Sequence, residues 1–145
     1  MDKATVELKA LIVFLIKEHD APMSLKKTHL RYTEQEEELN EIKPRFFCGV
    51  DLEKPYEILC SFNINQLPFP NRLAILLHEL AHIILKSSNE VEVDEYCKFG
   101  IPASGFGYQD KLEYESLPSN RLVIARNVEV VSETFCDYIL ETYME

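Results

Sequence analysis

Three apolar blocks organise the chain. The first, ALIVFLI at 10–16, is preceded by Asp2 and Glu7 and followed by KEHD, a density that predicts a largely buried helix from about Lys3 to Glu18, capped by Asp2. In the second, NRLAILLHELAHIILK at 71–86, Leu73 to Leu77, Leu80, Ala81 and Ile83 to Leu85 would bury a helix on most of its circumference, with Asn71 as its cap. The third, NVEVVSETFCDYILETYM at 127–144, repeats Val128, Val131, Phe135, Ile139 and Leu140 at three- and four-residue steps, as on the core face of a helix.

Between these blocks the signals are shorter. SLKKTHLRY predicts a brief strand after the DAPMS turn, and TEQEEELNEIK at 33–43 a solvated acidic helix capped by Thr33 and ended by Pro44. RFFCGVDL and YEILCSFNI, separated by EKP, predict an antiparallel hairpin. NQLPFPN interrupts the chain before the second block. Residues 87–120 are polar and carry Pro102, Gly105, Gly107 and Pro118, and are read as a mostly irregular wall or lid. RLVIA is either a last strand or the first turns of the final helix. The sum is an α+β fold, a single small domain over 1–145 with helices packed on a short antiparallel sheet.

Composition narrows the partners. With 15 Lys+Arg against 25 Asp+Glu the formal charge is −10, which repels a phosphate backbone and points to a protein partner or a basic segment rather than nucleic acid. Cys48, Cys60, Cys97 and Cys136 are widely spaced among apolar residues without a C-x-x-C, and read as reduced thiols of a cytoplasmic protein. The first apolar block has acidic flanks and no cleavage site, so neither an export signal nor a membrane partner is expected.

The polar residues inside the second block change the picture most. His78 and His82, four apart, lie on one face of a helix and can reach a common point, while Glu79 is turned about 100° away. This is H-E-x-x-H, in which two imidazoles bind Zn2+ and the glutamate handles the proton of a zinc-bound water. The domain is therefore expected to be zincin-like, with this motif on a buried central helix. A third ligand is needed. Leu85 and Ser88 stand where a metzincin has glycine and histidine, which excludes that class. His19 and His29 read as surface or structural. The reading favours Glu129 as ligand, with Glu133 one turn on accepting from the far nitrogen of a ligand imidazole, over the loop acids Glu92, Asp94, Glu113 and Glu115.

With these residues in view, EILCSFNINQLPFPNRLAILLHELAHIIL resembles the strand, loop and metal helix of the ImmA/IrrE-type zinc peptidases. EVVSETFCDYIL is similar to that family's later helix, of pattern E-x-E-A-N/D-x-F-A-x-x-L-L, with Glu129 on the ligand glutamate, Glu133 on the Asn/Asp position, and Val131 and Ser132 in place of Glu-Ala. The resemblance implies a cytoplasmic zinc metallopeptidase engaged in regulatory proteolysis of a specific DNA-binding repressor. The expected activity is Glu79-assisted attack of a zinc-bound water on a peptide bond, with Tyr108, Tyr114, Arg126 or a backbone N–H assisting the oxyanion. The alternatives are a non-catalytic zinc-containing binding module and a DNA-associated zinc protease, which would want a basic surface.

Overall fold

A computed structural model describes residues 1–33, 48–116 and 120–144 of this small α+β domain. The acidic helix expected at 33–43 falls, beyond Thr33, outside the described residues. Helix α1 runs Lys3–Glu18, as its apolar density predicts, and buries Leu8, Leu11, Phe14 and Leu15. Asp2 occupies the cap position, but its carboxylate takes hydroxyl hydrogen bonds from Thr5 and Tyr32 instead of a helix N–H. A 3-10 turn over Met23–Lys27 then leads into strand β1, His29–Tyr32.

β2 (Cys48–Val50) and β3 (Glu57–Cys60) form the expected antiparallel pair. The sheet is nevertheless mixed, because β1 pairs parallel with β3 and gives the order β1-β3-β2. Cys48 and Cys60 stand opposite one another in register and are joined by a disulfide, which corrects the reading of four reduced thiols; Cys97 and Cys136 are free and buried. Adjacency across two strands is invisible to a search for C-x-x-C spacing. The bond closes a sequence separation of 12 residues, so replacing both cysteines by alanine should lower the unfolding free energy by about 2–3 kcal/mol in urea titrations. Wild-type curves that coincide in oxidising and reducing buffer would contradict the pairing.

Helix α2, Phe69–Leu85, is the centre of the molecule and contacts α1, β2 and the later elements. It starts earlier than Asn71 suggests, with Pro68 at the cap and Pro70 in the first turn, where a missing N–H costs nothing. Asn71 is buried, and its amide donates to the backbone carbonyl of Glu129 at 2.9 Å. The helix stops at Lys86, which adopts a left-handed conformation (φ 52°), while the Ser87 N–H bonds back to the His82 carbonyl at 3.2 Å.

Residues 87–116 are more ordered than their polarity suggests. Asn89 caps a short helix α3, Glu90–Glu95, by accepting the N–H groups of Val91 and Glu92 at 3.0 and 3.2 Å. A π turn (Tyr96–Gly100) and a 3-10 turn (Pro102–Ser104) lead to Gly105, whose positive φ of 62° and approach to Ser132, 2.9 Å from an added Cβ, exclude a side chain. β4 (Gly107–Gln109), β5 (Leu112–Ser116), β6 (Arg121–Ala125) and β7 (Val128–Val130) follow, paired β4 with β7 and β5 with β6. RLVIA is therefore a strand. Helix α4, Glu133–Tyr143, begins only after Ser132, whose hydroxyl accepts the Phe135 N–H. The one long helix expected over 127–144 is thus a strand followed by a helix: Val128, Val130 and Val131 are β-branched and favour the extended chain, and Asn71 ties that strand to α2. Among the described residues no helix is long and apolar enough to cross a membrane.

Candidate metal centre

His78 and His82 lie one turn apart on α2, buried, with their Nε2 atoms 3.2 Å apart. Two nitrogens on one tetrahedral ion at about 2.0–2.1 Å would be separated by about 3.3–3.4 Å, so the imidazoles already hold a spacing a metal can use. The tautomer of His82 is set by the chain reversal at Lys86. That turn brings the Ser87 carbonyl 2.7 Å from Nδ1, which donates to it and leaves the Nε2 lone pair free for a metal.

A carboxylate faces both imidazoles. Glu90, at the start of α3, places Oε2 2.9 Å from His78 Nε2 and Oε1 3.2 Å from His82 Nε2. One turn further along, Asp94 Oδ1 lies 3.5 Å from His78 Nδ1, a buried nitrogen without a hydrogen-bond partner. The far side of Asp94 is held by the Tyr108 hydroxyl, which donates at 2.9 and 2.8 Å to the two carboxylate oxygens. Burial, and after it the hydrogen bond and charge of Asp94, push the Tyr108 phenol well above its ordinary range, so it stays a donor.

Glu79 shares the site. Its carboxyl is buried and, with His78 and His82, offers ligand atoms within 4.8 Å of one another, a group able to hold a metal ion. Burial first, then the charges of Glu129 and Glu90, push its pKa up to about 8. A cation at the imidazoles would favour the charged form.

Glu129 and Glu133 do not share a helix face. Glu129 is on β7, opposite Tyr108 of β4, and lines the same cleft of about 350 Å³ as the two histidines, Glu79 and Glu90. Its carboxyl is raised chiefly by burial, with Asp94 and Glu90 adding to the effect. Among the described residues, the carboxylates in ion-pair range of the imidazoles are those of Glu90 and Asp94. Glu133 is exposed in the first turn of α4.

The other candidates fall elsewhere. Glu92 accepts from the Ser87 hydroxyl, Glu113 pairs with Lys111, and Glu115 is exposed on β5. His19 packs edge-on against Phe14, and the His29 ring meets the Lys27 carbonyl. Of the proposed oxyanion donors, Tyr108 adjoins the site, Tyr114 is buried on β5 and Arg126 is exposed. Sequence reasoning missed Glu90, although it is the first acidic residue after His82 and stands four before Asp94. That i, i+4 spacing is the signal that could have found the pair.

β2 forms the opposite wall of the cleft through Cys48, Gly49 and Val50. No family model, no curated protein and no solved structure matches the chain.

Proposed function

We propose that this protein is a zinc-dependent endopeptidase of the ImmA/IrrE type that cuts a specific protein partner. The observation that carries the reading is the convergence of His78 Nε2, His82 Nε2 and the Glu90 carboxylate, beside an intact buried Glu79 at an open cleft. A zinc ion held by His78, His82 and Glu90 would supply Lewis acidity for a peptide carbonyl and for the attacking water. Glu79 takes the proton from that water and returns it to the leaving amine. Asp94 orients His78.

Two features support this ligand set over one built on Glu129. The helix α3 carboxylates already meet the imidazoles. The family's later-helix pattern also fits residues 90–97, where Glu90, Glu92 and Asp94 take its acidic and Asn/Asp positions and Val93, Tyr96 and Cys97 stand at its Ala, Phe and Ala. Glu129 then faces the substrate. With a chain charge of −10, this favours a basic or flexible segment, such as that of a DNA-binding repressor in the cytoplasm. A disulfide in that compartment would cycle rather than persist.

Metal analysis tests the reading. The purified protein should hold about one zinc per chain, His78→Ala and Glu90→Ala should lose most of it, and Glu129→Ala should retain it. A wild type that binds no zinc sinks the proposal. Loss in Glu129→Ala with retention in Glu90→Ala returns the third ligand to β7.

A further inference from the structure

The side chains around His78 extend beyond Asp94. Asp94 sits on a six-residue helix, a quarter exposed, and nothing in its own element stops its carboxylate from turning into solvent. The restraint comes from β4. The Tyr108 hydroxyl reaches both carboxylate oxygens, at 2.9 and 2.8 Å, and leaves Oδ1 facing His78 Nδ1 at 3.5 Å. Phe106, just before β4, stacks on the His78 ring at a centroid distance of 6.3 Å and an interplanar angle of 17°. Phe106 in turn meets the Tyr108 ring edge-on at 5.9 Å, and Lys98 Nζ lies 5.8 Å from the Tyr108 centroid. Gly105, immediately before Phe106, carries the left-handed backbone at this turn into β4.

We propose that Tyr108 is a positioning residue for the metal centre: through its hydrogen bond it holds Asp94 against His78 and so fixes the imidazole with Nε2 toward the metal. The inference rests on the metal-site reading above. It departs from the sequence reading, in which Tyr108 was one of several oxyanion candidates, because its hydroxyl is engaged with Asp94 and not directed at the cleft.

The test uses zinc alone and reads affinity by competition with a chromogenic chelator. Tyr108→Phe removes only the hydroxyl and should weaken zinc binding about tenfold, while Asp94→Ala weakens it by about 10- to 100-fold. In the Asp94→Ala background, adding Tyr108→Phe should cost nothing further, since the hydroxyl then has no carboxylate to hold. The melting temperature of metal-free Tyr108→Phe should match that of the metal-free wild type. Wild-type zinc affinity in Tyr108→Phe, additive losses in the double variant, or a matching loss of metal-free stability would each overturn the inference, and His78→Ala distinguishes the failures. If His78→Ala loses zinc while Tyr108→Phe does not, the metal site stands and only the role of Tyr108 falls; if His78→Ala binds as wild type does, the site itself falls and the inference with it.

Discussion

Glu79→Gln should keep its zinc and lose cleavage by about 10²- to 10⁴-fold, the range a positioned general base contributes. Glutamine preserves the volume and the buried placement on α2 but cannot accept the proton. Burial and the neighbouring Glu129 and Glu90 already disfavour the charged form of Glu79, so a neutral glutamine there should not destabilise the fold. The measurement pairs metal content with the appearance of discrete fragments from a basic DNA-binding repressor co-expressed with the protein. Undiminished cleavage would move the base elsewhere, and loss of zinc would make Glu79 a ligand. A tight complex that wild type and variant form equally, with no fragment from either, would favour the non-catalytic binding module.

Helices α1 and α2 were legible because burial on nearly all sides leaves a dense apolar run, and H-E-x-x-H fixed the face of α2 that presents the paired histidines. The hairpin of β2 and β3 was legible from its aromatic and branched residues, but its disulfide was not, because register joins Cys48 to Cys60 and spacing does not. Helix α3 left little trace: EVEVDE has one buried residue, Val93, and owes its position to the Asn89 cap and the turn at Lys86. The third ligand was expected on the last helix because Val128 and Val131 imitate a helical stripe as readily as they form a strand. Only pairing with β4 separates the two.

Glu7 shows the same limit from the side of stability, and its replacement should have the largest effect on folding. In the sequence it is a charge flanking an apolar run; in the structure it is buried, 3% exposed, and forms a two-pronged pair with Arg72 of α2. Arg72 Nε and Nη2 each donate to one Glu7 oxygen at 2.7 Å, Nη1 donates to the Leu67 carbonyl at 2.5 Å, and the guanidinium lies 5.5 Å from the Phe69 ring centroid. Nε and Nη2 thus lock the first turn of α2 onto α1, while Nη1 ties it to the segment that precedes α2. Glu7→Ala leaves that cation buried without its counter-ion and should lower the unfolding free energy by about 3–5 kcal/mol, a large part of the stability of a small domain. Replacing both partners with apolar residues, Glu7→Leu with Arg72→Met, should cost much less than the single change, because the penalty comes from the orphaned charge and not from the loss of attraction. Urea unfolding of the two single variants and the double variant measures this directly. A double variant as unstable as the sum of its singles would mean that the two side chains act independently, and that α2 is set against α1 by apolar packing alone.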